Sequence, residues 1–168
     1  MSDFSCSGYS YHTSGHVYAI GEKAPDFTLT APDLSLVRLS DFKGQGLLLN
    51  VFPSIDTPVC FGSCDTFNQL VGESSNILCI SKDLPFALAR HEKESRFKNI
   101  RLLSDFRDHN FGHAYGLTIV DGPLSGLLAR EVIVIDKNGN IAYQEFATNI
   151  NNAPNFQLAV EAFQDVSL

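Results

Sequence analysis

Apolar and polar positions along the chain fall into two periods. Short unbroken apolar runs mark strands covered on both faces, and apolar residues three or four apart mark helices. The runs Gly46-Leu47-Leu48-Leu49-Asn50-Val51-Phe52, Ile77-Leu78-Cys79-Ile80 and Arg130-Glu131-Val132-Ile133-Val134-Ile135 are of the first kind. They predict strands over 46–52, 77–81 and 130–135. Residues 58–72 predict a helix, with Thr57 as N-cap and Pro58 in the first helical position. With its flanking strands this helix makes a βαβ unit, whose crossover should be right-handed. Residues 85 to about 96 predict a second helix, 101–104 a strand, and 110–115 a short helix. Asp136-Lys137-Asn138-Gly139-Asn140 turns the chain, and 141–146 returns as the hairpin partner of 130–135. Residues 155–166, opened by Pro154, form an amphipathic closing helix with Phe156, Ala159, Val160 and Phe163 on one face. Toward the N-terminus, 4–11 and 16–20 flank Thr13-Ser14-Gly15 and predict a hairpin. A short strand at 27–29 follows, then 33–39 and a loop at Lys43-Gly44.

This order predicts an α/β fold: a thioredoxin-like three-layer sandwich with a central mixed sheet, preceded by an N-terminal β-hairpin within residues 1–20. No internal repeat, linker or low-complexity stretch divides the chain, so 1–168 is expected to be a single domain.

Composition changes this picture little. Hydrophobic residues make up 44% and aromatics 11%, with thirteen Phe and no Trp, as in an ordinary globular protein. The net charge of −7 argues against a nucleic-acid partner or an acidic membrane surface. No segment approaches the ~20 apolar residues of a membrane span. The first twenty residues lack a basic start and an apolar core, so no secretory signal is visible and a cytoplasmic location is expected. Four cysteines, Cys6, Cys60, Cys64 and Cys79, are too few and too uneven for a disulfide framework. In a reducing compartment they are catalytic, metal-binding or simply buried.

Cys60 has the most informative setting. It stands in the first turn of a helix, at the carboxyl end of a strand, among free backbone N–H groups and at the positive end of the helix dipole. That setting favours the thiolate, the nucleophilic form of cysteine. A buried structural cysteine is the plain alternative. The spacing Pro53-x-x-x-Thr57-x-x-Cys60 resembles the active-site motif of the peroxiredoxins. FPSIDTPVC, LCISKDLPFALAR and DGPLSGLLAR, in that order and with the N-terminal hairpin, extend the resemblance to the thiol peroxidase branch over nearly the whole chain. The resemblance implies a thiol-dependent peroxidase. Hydrogen peroxide and organic hydroperoxides would be reduced through a sulfenic acid on Cys60, with thioredoxin or another thiol as reductant. It also implies a homodimer, with Phe111, Tyr115 and the loop near Pro123 as candidate contacts, and no metal or cofactor.

Elementary chemistry limits what the thiolate alone can do. At a reference pKa of ~8.5, complete ionisation at neutral pH gains only roughly 30-fold. Nucleophilicity also falls as the pKa falls. Donors that stabilise charge on the departing oxygen must supply the rest. Thr57 is one candidate, although an ordinary N-cap accounts for it equally well. Arg130, which opens a strand apolar from Val132 onward, is the other, and a solvated strand end is its plain reading. The resemblance assigns both to the active site. Pro53 is a strand terminator that would also shield the sulfur. Apolar residues Phe52, Ile55, Val59, Phe61, Leu84 and Phe86 flank the site and suggest organic hydroperoxides as substrates.

One position departs from the pattern. In two-cysteine members of the branch the resolving cysteine follows the LPFAxxR block, where this chain has Glu92. Cys64 lies one helical turn after Cys60 and is the possible resolving thiol. Cβ atoms at that spacing are ~5–6 Å apart, whereas a disulfide needs ~3.5–4.5 Å, so the helix start would have to unwind. An external thiol is the other route. Cys79 is expected to be buried and Cys6 exposed. Two rival functions remain open. Cys60, Cys64 and one of His91, His109 or His113 could imitate a thioredoxin-like copper(I) carrier. A peroxide sensor that relays oxidation to a partner would need the same thiolate.

Overall fold

The computed structural model describes residues 1–73 and 76–168. Its central sheet has seven strands in the order β4-β3-β7-β6-β5-β8-β9. The middle is formed by β5 (Leu47–Val51), β6 (Ile77–Ser81) and β7 (Arg101–Ser104), which run parallel to one another. Every residue of β5 and β6 is buried, as is every residue of β8 (Glu131–Ile135). That is why these strands read as continuous apolar runs rather than alternating ones. β8 pairs antiparallel with β5, and β9 (Ile141–Phe146) pairs antiparallel with β8, making an edge. The other edge is β3 (Thr28–Thr30) with β4 (Leu36–Arg38), followed by a 3-10 turn at Leu39–Phe42.

Side-chain alternation sends successive strand residues to opposite faces. Leu48, Cys79, Leu102, Val132 and Val134 meet residues of α1 (Pro58–Leu70), α2 (Pro85–Ser95) and α4 (Phe156–Ser167) on one face. Leu47, Leu49, Val51, Ile80, Leu103, Ile133 and Ile135 pack on the other, against α3 (Asn110–Ala114), the N-terminal hairpin and the segment around 117–129. The result is the mixed-sheet sandwich that the sequence predicts. α4 is capped by Asn155, whose side chain accepts from the Leu158 amide at 3.1 Å. Its Phe156 meets Phe67 of α1 edge to face, with ring centroids 5.1 Å apart.

The hairpin forms in a different register from the one expected. Its strands are β1 (Asp3–Cys6) and β2 (Tyr9–His12), and Ser7-Gly8 make the turn, both with positive φ. That is the backbone of a tight two-residue hairpin. Gly15 does not make the turn. A Cβ there would lie 2.8 Å from Gly116 Cα, so this glycine serves a close approach of two backbones. Residues 14–19 lie outside any strand.

Phe111 and Tyr115 also differ from expectation. They stack on each other at 4.4 Å inside the chain's own core, with 0% and 4% exposure. Neither is available as a surface contact. No helix among the described residues is long and apolar enough to cross a membrane.

Candidate active site

Pro53 is buried immediately beyond β5, where a residue without an N–H can end a strand at no hydrogen-bonding cost. The chain then turns through Ser54-Ile55-Asp56 into α1. Asp83, just past β6, holds this turn: it accepts from Ser54 Oγ at 2.8 Å and from the Ile55 amide at 2.7 Å. Ser81 Oγ donates to the same carboxylate at 2.6 Å. On the outer side, His91 Nε2 lies 2.7 Å from Asp56 Oδ1 and the Arg90 guanidinium 3.4 Å from it, tying α2 to the turn.

Thr57 is the N-cap of α1, as the sequence predicts. Its hydroxyl oxygen accepts from the Cys60 amide at 3.3 Å and its hydrogen reaches the Ser54 carbonyl at 3.3 Å. The hydroxyl is thus directed along the backbone in this state. Donation to the Cys60 sulfur would require it to rotate.

Cys60 is 1% exposed. Its sulfur accepts from Arg130 Nη2 at 3.2 Å across a sequence separation of 70. Arg130 is itself 2% exposed. Its Nε donates to the Ile150 carbonyl at 2.8 Å, while Nη1 is buried without a partner among the described residues. No carboxylate pairs with this guanidinium among the described residues. A buried cation in that position needs an acceptor of electron density, and the Cys60 sulfur is the side-chain group that provides it.

Cys64 and Cys79 are fully buried in the core behind Cys60. Asn50 Nδ2 donates to Ser63 Oγ at 3.0 Å and approaches the sulfurs of Cys79 and Cys64 at 3.5 and 3.8 Å. The Cys64 thiol is pushed well above its usual range by burial, with a further contribution from its neighbours Cys79 and Cys60. Cys6 is partly exposed in β1. Glu92 is half-buried on α2, in a cavity of about 220 Å³ shared with Asp33 and Arg101. Burial and then Asp33 raise its carboxyl, and Arg101 opposes them.

The flanking apolar residues separate into two groups. Phe52 and Ile55 are fully buried and belong to the core, whereas Leu84 and Phe86 are exposed beside the turn, at 46% and 68%. His109 lies 2.9 Å from Lys82 Nζ and His91 is engaged by Asp56. No group of three ligating side chains occurs among the described residues.

Sequence reasoning brings Pro53, Thr57, Cys60 and Arg130 to one place and misses Asp83, Asn50 and Ile150. Asp83 had a signal, a carboxylate between a strand end and the helix start Leu84-Pro85. Ile150 acts through its backbone carbonyl and leaves no trace in residue type.

A first-turn cysteine on a thioredoxin-like sheet, contacted by a buried arginine just ahead of β8, is the arrangement of a thiol-based redox protein. Residues 19–160 match the Redoxin family. The chain is 44% identical over 163 residues to the thiol peroxidase of Mycobacterium tuberculosis, covering 96% of this chain and 98% of that one. It is 41% identical over 152 residues to that of Corynebacterium glutamicum, covering 89% and 92%. A peroxiredoxin-like protein from Aquifex aeolicus superposes with a TM-score of 0.92 at 30% identity, over 98% of this chain and 96% of the other. A thiol peroxidase from Chromobacterium violaceum shares the fold, with a TM-score of 0.86 at 23% identity over 97% and 95%. The chain belongs to the peroxiredoxins, in their thiol peroxidase branch.

Proposed function

We propose that Cys60 is the nucleophile of a thiol-dependent hydroperoxide reductase, with Arg130 stabilising the charge that develops on the peroxide. The observation that carries this reading is the Arg130 guanidinium: one nitrogen donates to the Cys60 sulfur at 3.2 Å and another is buried with its hydrogens unused. A buried donor left unpaired costs free energy. A peroxide oxygen lying against the sulfur would satisfy it.

In the reaction, a sulfur lone pair of the Cys60 thiolate attacks the terminal oxygen of ROOH. The O–O bond breaks and its electron pair leaves on RO⁻, which takes a proton to become an alcohol, or water when R is hydrogen. Sulfur is oxidised to the sulfenic acid. Arg130 Nη1 and Nη2 lie where negative charge passes from sulfur to the leaving oxygen, so their hydrogen bonds strengthen in the transition state. A thiol then attacks the sulfenic sulfur and releases water, giving a disulfide that a second thiol reduces. Thioredoxin is a reductant of suitable chemistry for that last step. Exposed Leu84 and Phe86 beside the turn support organic hydroperoxides as substrates in addition to hydrogen peroxide.

Single-turnover oxidation of the reduced protein, followed by mass, tests the assignment with cumene hydroperoxide and hydrogen peroxide in parallel. Cys60→Ser is expected to abolish uptake of the first oxygen, while Cys6→Ser and Cys79→Ser retain it. The organic substrate should react at least as fast as hydrogen peroxide. Oxidation that persists in the Cys60 variant would place the nucleophile elsewhere.

A further inference from the structure

Among the buried carboxylates of the described residues, Asp105 is fully partnered. It pairs with Lys82 at 2.9 Å and accepts from the Phe111 and Gly112 amides. Glu131 is not. It is 7% exposed and has neither a hydrogen bond nor an ion pair from its carboxylate among the described residues. It follows Arg130 directly on β8, so its side chain leaves the opposite face of the sheet and takes no part in the Cys60 site.

That face carries a cavity of about 170 Å³ into which Glu131 projects. Its walls include Leu117, Ile133 and the rings of Tyr18 and Tyr115, whose centroids are 6.4 Å apart. The Tyr115 hydroxyl is committed to the Pro25 carbonyl at 2.8 Å. Gln144 lines the same cavity. The register pairs Glu131 with Phe146 and Ile133 with Gln144, which makes Gln144 the diagonal neighbour of Glu131 on the same face. Among the described residues, no lysine or arginine lines the cavity.

We propose that this cavity is a binding site for a compact primary ammonium group carried on a short apolar body. A carboxylate and the Gln144 carbonyl oxygen supply acceptors for the ammonium hydrogens. The aliphatic walls, Leu117 and Ile133 among them, take the apolar body. At 7% exposure the carboxylate is largely desolvated, and a cation bound in the cavity offsets that desolvation. The volume has room for several waters or one small organic cation. Burial holds the Glu131 carboxyl up at about 7, so the carboxylate form is the main one at pH 8.

The test is titration of the full chain at pH 8 with n-butylammonium chloride, and separately with n-butanol as the neutral isostere. The readout is the backbone amide shifts of Glu131, Ile133 and Gln144. The ammonium is expected to give saturable shifts, with the alcohol bound at least about tenfold more weakly. Glu131→Gln should weaken the ammonium by at least about the same factor. Absence of saturation in the wild-type chain overturns the proposal. So does equal affinity for the alcohol, or unchanged affinity in a folded Glu131→Gln variant. Should that variant fail to fold, the ammonium–alcohol comparison in the wild-type chain decides alone. None of these readouts depends on peroxidase activity.

Discussion

Arg130 is a buried cation whose three nitrogens meet different fates: a backbone carbonyl, the Cys60 sulfur, and no partner among the described residues. On the mechanism proposed above, its removal should be felt mainly in the transition state. Arg130→Met is therefore expected to slow oxidation of Cys60 by more than the roughly 30-fold that ionisation alone explains, measured by stopped-flow single turnover. Thr57→Val should lose the cap, costing about 1 kcal/mol of stability in a denaturant titration, and should slow oxidation as well. A rate loss in both variants that merely tracks the thiolate fraction would refute charge stabilisation. Glu131 gives a separate residue-scale prediction. Its folded pKa is pushed up to about 7 by burial, against an ordinary glutamate value of 4.5. The folded state therefore holds a proton that the unfolded state has released, and stability should fall as pH rises through 5 to 7, then level off. Relative to Glu131→Gln, the wild-type chain should lose up to about 3 kcal/mol between pH 4 and pH 8, read from urea titrations at each pH. A constant difference between the two proteins would show that the burial does not act on this carboxyl. The sequence revealed Cys60, Thr57 and Pro53 because each sits in a local pattern of cap, turn and strand end. Glu131 gave no such signal: it stands inside a β-branched run, and only the sheet's pleat assigns it to the face away from Cys60.

Elements whose ends are set by local chemistry were legible almost to the residue. β6, β7 and β9 span the expected 77–81, 101–104 and 141–146, since buried apolar runs and the Asp136–Asn140 turn fix them without help from elsewhere. The hairpin turn is not legible locally, because Thr13-Ser14-Gly15 and Ser7-Gly8 are both plausible turns in isolation. Only the contact between Gly15 and Gly116 removes the first. The true register has a consequence for the site. β1 lies beside 148–150, with the Ser5 amide donating to the Thr148 carbonyl at 2.8 Å and the Ile150 amide to the Ser5 carbonyl at 3.0 Å. The Ile150 carbonyl on that segment is the one that receives Arg130 Nε. The hairpin thereby orients the arginine through backbone alone. Ser5→Pro removes one of these donors, and proline cannot supply an N–H. It is expected to slow Cys60 oxidation severalfold, while Ser5→Ala, which keeps the backbone donor, leaves the rate near wild type. Equal rates in both variants would uncouple the hairpin from Arg130.

At the scale of the whole molecule, the sheet separates two chemistries. Cys60, Cys64 and Cys79 lie on the helical face, and the Glu131 cavity lies on the other. This division bears on how an oxidised Cys60 would be recycled, given that Glu92 stands where the resemblance implies a resolving thiol. Cys64 is near Cys60 in sequence but fully buried, its thiol held in the neutral form and engaged with Asn50 and Cys79. To attack a sulfenic acid it would have to ionise in an apolar core and unwind the first turn of α1, whose cap ties Thr57 to Cys60. Both steps oppose it. A thiol arriving from solvent avoids the first obstacle, because it need not ionise inside the apolar core, and it approaches from the side where Asp56 and Thr57 are already exposed. We therefore propose direct reduction of Cys60 by an external thiol, with thioredoxin or a small thiol in that role. One equivalent of cumene hydroperoxide, followed by dimedone and peptide mapping, should give dimedone-labelled Cys60 with Cys64 and Cys79 still free. Adding reduced thioredoxin with its reductase, or a small thiol, before dimedone should abolish the label. A bridged Cys60–Cys64 peptide formed within one turnover would instead make Cys64 the resolving residue and would require the start of α1 to melt on every cycle.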